Sequence, residues 1–278
     1  MTAAVVADDV RTFASSVAGA LERHPVQDPW RPGAHADDRN PGLRDAVFEL
    51  GWGDVSTVPG LLPFVAPAAV ELGRRFAPLD LVDAPLGGAL VVDGYARYPA
   101  VRERLVEVRG ATLSVRTAVR LTPLGYIDAL AVHAVDEVTE ETTVTGPEAA
   151  ARRDAWIAAN AGYLAGLSAE AVRLAAEHAK SRHAFGRPLA ALDPIQQHLA
   201  TAATLADGAT LLAEERVTAA GLAHAGEGAA HATALCQQVV GAIGYTLEFP
   251  LQRAFRRARA VRLWADAVLA RLGGEARA

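Results

Sequence analysis

One cysteine, Cys236, is all this 278-residue chain contains. That excludes an internal disulfide and any multi-thiolate metal site, and the residue reads as a buried small hydrophobe. No apolar run approaches the roughly 20 residues that would span a bilayer. The first eleven residues carry Asp8 and Asp9 and lack a basic stretch ahead of an apolar core. No secretion signal is therefore expected, and the expected location is cytoplasmic. A net charge of -5 lacks the basic excess of a general nucleic-acid binder. There is no fixed-period repeat and no low-complexity tract beyond general alanine richness. His178, His183 and His198 cluster in sequence, but they lack the i, i+4 pair with a carboxylate that a metal would use, so no metal is expected.

What is present is an ordinary globular composition, 51% apolar and 21% charged, long enough for one large or two modest domains. The pattern divides the chain into three. Residues 1–82 alternate amphipathic stretches such as "RTFASSVAGALERH" and "GLRDAVFELGW" with a Pro/Gly-rich interruption, and predict a helical N-terminal domain. Residues 83–148 turn to β-branched clusters ("GALVVDG", "RLVEVRG", "ATLSVRTAVRLTP"), predicting a short, mostly antiparallel sheet. In that reading "EVTEETTVTGPE" is an edge strand running into a linker. Residues 149–278 are helical, with Trp156, Tyr163, Leu167, Ala171 and Leu174 at helical spacing.

Four helices are expected in this last part. The first ends near Arg182; Asp193 and Pro194 open the second as N-cap and N1, and it runs to about Leu222. "AHAGEGAA" is expected to turn the chain into a third helix from about Ala230 to Gly244. Pro250 opens a fourth that stops at Gly273 and Gly274. Short connections between long helices predict an antiparallel four-helix bundle, making the protein mainly α.

Two breaks in the bundle stand out. At "SRHAFGRP", Arg182 sits in the last helical turn, and Phe185, Gly186 and Pro188 form a compact turn. A guanidinium beside an aromatic plate suits a nucleotide; equally, Arg182 would cap the helix and Phe185 plug the bundle end. At "CQQVVGAIGYTLEFPLQRAFR", Gln238, Gly241 and Gly244 lie along one edge of a helix end, open to a pyrophosphate or to another helix. Tyr245 and Glu248 read as interface and cap residues. Arginines 253, 256, 257, 259 and 262 form a basic helix, either a solvated face or a surface for a partner or for phosphates.

Taken in order and separation, "R-x-x-F-G-x-P" at 182–188 and "Q-x-x-G-x-x-G-Y-x-x-E-x-P-L-x-R" from Gln238 to Arg253 resemble the C-terminal domain of the acyl-CoA dehydrogenase family. "ELGWGD" and "AAVELGRRFAP" resemble its N-terminal domain. The resemblance implies a helical N-terminal domain, a middle β domain and a four-helix bundle, and an FAD-dependent removal of hydrogen from Cα and Cβ of an acyl-CoA. It places Arg182, Phe185 and Gly186 at the ADP part of FAD, and Gln238, Gly241 and Gly244 in the segment that a neighbouring subunit contributes. Asp154, and with it Arg256, would serve the CoA portion, although the family's arginine three residues after the acid is Ile157 here.

The departures from the family pattern define the expectation. Where the family carries its proton-abstracting glutamate, this chain has Ala265; the flavin-touching threonine is Ala267; and the alternative glutamate position is Trp156. The glutamine after the proline turn is Asp193. The middle domain is short and lacks an "E-P-x-x-G-S-D" loop. Asp266 is the one carboxylate adjacent to the vacated position, and Arg262 one turn earlier explains it as an ion pair. The resemblance thus implies a non-catalytic subunit that contributes flavin-binding segments to a longer homologue bearing the glutamate, as in the α2β2 heteromeric enzymes of actinobacterial steroid breakdown. Val239, Leu251, Phe255 and Val268 on the last two helices are expected to supply contact surface. The alternative is a flavin-free binding or scaffold protein, or a non-redox protein, on the same fold.

Overall fold

The computed structural model describes residues 2–26, 39–127, 130–215 and 217–273. Its N-terminal layer is helical. α1 (Thr2–Arg23) buries Val17, Ala20 and Leu21. α2 (Pro41–Glu49) starts where the Asn40 side chain accepts the Leu43 N–H at 3.0 Å and Pro41 takes the first helical position, two features that make a start there favourable. α3 (Leu62–Arg74) follows, then the short α4 (Leu79–Asp83).

The middle of the chain is a closed five-stranded barrel: β1 (Ala89–Val92), β2 (Tyr95–Arg97), β3 (Arg104–Arg109), β4 (Thr112–Ile127) and β5 (Leu130–Val144), in the order β1-β2-β5-β4-β3. All neighbours are antiparallel except β1 and β3, which close the barrel in parallel. The sheet is mostly antiparallel, as expected, and closes on itself. The "EVTEETTVT" stretch pairs with β4 from Glu137 to Val144, whereas the β2 pairs stop at Ala134, so this half of β5 is bonded on one side only, as an edge is. It does not run into a linker, because Thr145 passes directly into the next helix. Over the rest of the small sheet, closure removes exposed strand edges. Side-chain alternation sorts the barrel's two faces: Ala89, Val91, Ala96, Leu105 and Ala118 fill a core of their own, whereas Leu90, Val106, Val108 and Leu113 join the main core shared with the helices.

The rest is a four-helix bundle of α5 (Gly146–Ser181), α6 (Asp193–Glu215), α7 (Ala219–Val240) and α8 (Leu251–Gly273). α5 spans about 54 Å at 1.5 Å per residue and packs on α3, α6, α7 and α8. Against α3 the approach is unusually close. A Cβ on Gly166 would stand 2.1 Å from the Val70 carbonyl oxygen, on Gly162 2.4 Å from that of Ala66, and on Gly73 2.2 Å from that of Tyr163.

Two expectations about the bundle are overturned. "AHAGEGAA" does not turn the chain: α6 ends at Glu215, the Thr218 hydroxyl caps α7 by accepting the Gly221 N–H at 3.0 Å, and residues 223–230 lie inside α7. Its glycines serve packing instead, since a Cβ on Gly226 would meet the Arg262 side chain at 3.2 Å. The apolar positions expected to face a partner are core: Val239, Leu251 and Val268 are buried within this chain, and only Phe255 is partly exposed. Among the described residues no helix is long and apolar enough to cross a membrane.

Candidate functional site

The first break is a β-hairpin. β6 (His183–Ala184) pairs with β7 (Arg187–Pro188), and the two-residue turn between them is Phe185–Gly186 with φ of 53° and 77°. Two successive left-handed residues fit the twist of a tight hairpin, and glycine supplies the second at little cost. The turn lifts the Phe185 ring off the protein, leaving it 92% exposed, so it does not plug the bundle. Arg182 terminates α5 with its backbone: its N–H donates to the His178 carbonyl at 2.9 Å and its carbonyl accepts from Leu189 at 2.8 Å. Its guanidinium is exposed and has no hydrogen bond or ion pair among the described residues. Behind it, the half-buried His178 meets Phe249 edge-on at 5.7 Å. Burial, and secondarily the Arg182 charge, lower the His178 pKa and favour the neutral ring.

The second break lies at the same end of the bundle, because α5 and α7 finish there and α8 starts there. Gly241 ends α7 with φ of 74°, and nothing would touch a Cβ built on it within 4 Å. Gly244 is different: it is buried, and a Cβ there would sit 2.4 Å from Oε1 of Gln237. The close approach at Gly244 is thus made by the chain's own glutamine, while Gly241 and the exposed Gln238 remain open to an outside group. Ile243, Tyr245 and Leu247 add exposed apolar surface around them.

Ala265 and Trp156, the two positions where the resemblance leads one to look for a glutamate, are both buried. Ala265 is 2% exposed. Trp156 is buried, and its Nε1 donates to Asp83 Oδ1 at 2.9 Å. Asp83 in turn pairs with Arg97, whose Nε donates to Oδ2 at 2.6 Å and whose Nη2 reaches both Oδ1 and, at 3.1 Å, the Asn160 side-chain oxygen. The Trp264 ring lies 5.7 Å from the Arg97 guanidinium. α4, β2, α5 and α8 therefore meet around one buried ion pair, none of whose members the sequence reading singled out except Trp156.

The remaining candidates are scattered. Asp266 turns outward, 47% exposed, with Arg262 Nε 3.4 Å away, which is the ion-pair arrangement. Asp154 faces a cleft of ≈ 570 Å³ formed with the loop from Val55 to Leu62, and desolvation raises its pKa against the opposing pull of Arg153. Asp193 is exposed at the start of α6, and Arg256 is partly buried on α8. The basic helix is corrected in kind. Arg253 and Arg257 are buried, the former over the Phe76 ring at 4.9 Å. Arg257 donates to the carbonyls of Phe76 and Ala77 and to the hydroxyls of Tyr163 and Tyr98 at 2.7–3.2 Å. Those two arginines are neither a solvated face nor a phosphate surface. One further concavity lies near Ala267: an apolar groove of ≈ 420 Å³ between barrel and α8, lined by Val92, Tyr95, Leu124, Val132, Leu263 and Trp264.

Compared with known proteins, residues 158–265 match the family model described as the acyl-CoA dehydrogenase C-terminal domain. No curated protein matches the sequence. Among solved structures, a variant of the steroid ACAD Tcur3481-Tcur3483 is 17% identical, with TM-score 0.73 over 96% of this chain and 97% of that one. The ChsE4-ChsE5 complex from Mycobacterium tuberculosis is 13% identical, with TM-score 0.65 over 96% of each chain. XiaF from Streptomyces sp., determined with FADH2 and glycerol, is 13% identical, with TM-score 0.61 over 97% of this chain and 98% of that one. The chain has the acyl-CoA dehydrogenase fold, and its helical bundle matches the C-terminal domain of that family.

Proposed function

We propose that this chain is the non-catalytic subunit of an FAD-dependent acyl-CoA dehydrogenase, paired with a longer homologue that supplies the carboxylate. One observation carries the reading: Arg182 and Phe185 stand free at a bundle corner suited to a nucleotide, while both glutamate positions are occupied by the buried Ala265 and Trp156. FAD, when bound, supplies the hydride acceptor for α,β-dehydrogenation of the thioester. The Arg182 guanidinium would hold the pyrophosphate, Phe185 would offer a face to the adenine, and Gly241 with Gln238 would let a neighbour's dinucleotide approach the backbone. The apolar groove beside Ala267 suits a flat ring. From Leu251, at the hairpin end, to Trp264 at the groove, however, α8 climbs about 20 Å. A dinucleotide held by this hairpin would accordingly need another chain to cover its flavin end. The paired proteins Tcur3481-Tcur3483 and ChsE4-ChsE5, whose fold this chain shares, support a hetero-oligomer, and an α2β2 arrangement is the form proposed.

Co-expression with a longer, glutamate-bearing homologue tests this. The mixed assembly is expected to be yellow by size-exclusion chromatography with absorbance in the flavin band, and the chain alone to be flavin-poor. Arg182→Ala should weaken flavin retention by about ten- to a hundredfold, matching a charge-assisted contact of roughly 1.5–3 kcal/mol, without changing the elution volume. A homo-oligomer carrying stoichiometric FAD and oxidising an acyl-CoA unaided would sink the obligate-partner reading. A colourless, stable assembly would favour a binding or scaffold role instead.

Within the active assembly, Asp266→Asn should leave turnover nearly unchanged, because the side chain points to solvent and pairs with Arg262. Loss of a true general base costs about 10²- to 10⁴-fold. A steady-state rate lowered by that much, with flavin content intact, would put the base in this subunit.

A further inference from the structure

Between α2 and the barrel lies a cleft in two lobes of ≈ 320 and ≈ 570 Å³, which share Arg44, Asp80, Tyr98 and Glu103. The flavin reading makes no use of it. Three arginines reach it from separate stretches of chain: Arg39 ahead of α2, Arg44 within α2, and Arg104 at the start of β3. Two of them are fixed in place by the protein itself. Arg39 Nη1 donates to the Pro99 carbonyl at 3.2 Å, and Arg44 Nη1 donates to Asp80 Oδ2 at 2.9 Å while its guanidinium lies over the Phe48 ring at 4.7 Å. The Arg104 guanidinium is exposed and makes no hydrogen bond or ion pair with the described residues.

Charge in the cleft runs against that of the whole chain. Three arginines face two acids, Asp80 and Glu103, in a protein of net charge -5. Asp80 is 13% exposed and already matched by Arg44, so it neither repels an entering anion strongly nor competes for Arg104. Glu103 is exposed and is the one opposing charge left. Guanidinium forks converging on a partly desolvated space match the oxygens of phosphate or carboxylate. The smaller lobe adds the Phe48 ring and, at Gly87 and Gly88, backbone without side chains, which together form a flat, largely apolar wall.

We propose that this cleft binds a small organic anion, with its phosphate or carboxylate head at Arg44, where the two lobes meet, between Arg39 of the larger lobe and Arg104 of the smaller one, and a compact apolar body against Phe48 in the smaller lobe. The site is independent of the flavin corner, which lies at the far end of the bundle.

Titration calorimetry on the full chain, with phenyl phosphate and benzoate as probes, tests it and distinguishes the two head groups. Saturable one-site binding is expected for at least one probe. Arg104→Glu, an exposed change that spares the fold, should weaken it at least tenfold. Glu103→Gln should tighten it by removing the opposing charge, and Arg120→Glu, 69% exposed and outside the lining of the cleft, should leave it unchanged. Binding of both probes weaker than about 1 mM overturns the proposal. So does binding that Arg104→Glu does not weaken, or that Arg120→Glu weakens equally.

Discussion

Asp83→Ala should cost the protein about 3–5 kcal/mol of stability, among the largest effects of any single change, because it strands the Arg97 guanidinium in a buried site. Both partners are essentially inaccessible to solvent, and Asp83 also accepts the Trp156 indole N–H, so two polar groups, the Arg97 guanidinium and the Trp156 indole, lose their match at once. Urea unfolding followed by far-UV circular dichroism measures it. The double change Asp83→Ala with Arg97→Met should recover much of the loss, since apolar replacement of a whole buried pair is often neutral. A single variant within about 1 kcal/mol of the wild type would mean that water reaches Arg97 and that the pair does not close the core.

Gly166→Ala is the second. A methyl group there would lie 2.1 Å from the Val70 carbonyl oxygen and also crowd the Arg74 nitrogen, and backbone cannot swing aside as a flexible side chain can. Forcing α3 and α5 apart should cost about 3 kcal/mol, the upper part of the usual overpacking range, although alanine gains roughly 1 kcal/mol of helix propensity over glycine. Gly208→Ala isolates that propensity term, since nothing stands within 4 Å of a Cβ on Gly208 of α6. It should stabilise by about 1 kcal/mol. Opposite signs for the two substitutions, read from shifts in the urea midpoint, check the packing argument; equal signs would refute it.

How much of this was legible in the sequence follows from which interactions are local. The break at Arg182 to Pro188 could be read because Gly186 and Pro188, two residues apart, each disfavour continuing the helix. The start of α6 at Asp193 with Pro194 and the end of α8 at Gly273 were legible for the same reason. The glycines of "AHAGEGAA" and of "AGYLAG" misled or passed unnoticed because their purpose is to admit another helix, and a glycine that breaks looks like a glycine that packs. The barrel's closure was hidden because it depends on β1 finding β3 in parallel, a pairing that no turn signals. Arg253 and Arg257 looked like solvated charge. Only the three-dimensional structure shows the carbonyls of Phe76 and Ala77, at left-handed or turn positions with no strand or helix partner to satisfy them, waiting for a buried donor. At the candidate site, the residue types at 182, 185 and 241 were visible, while the buried Asp83–Arg97 pair beside Trp156 was not, because its two members are remote in sequence from Trp156.

The reach of Arg257 has a consequence for how the chain folds. The bond from its guanidinium to the Phe76 carbonyl joins residues 181 apart, and Arg97 meets Asn160 across 63. Contacts of such separation carry a loop-closure cost that nearer contacts do not, so they form late. On the ribosome, where synthesis runs at about 5–20 residues per second, α3 and the turn after it emerge roughly ten seconds or more before α8. Through that interval the carbonyls of Phe76 and Ala77 have no guanidinium, and the part of the barrel at β1 and β3 that meets α8 has no cover. The N-terminal layer is the first part made and among the last completed, and its fate in the cell is tied to the arrival of the C-terminal helix.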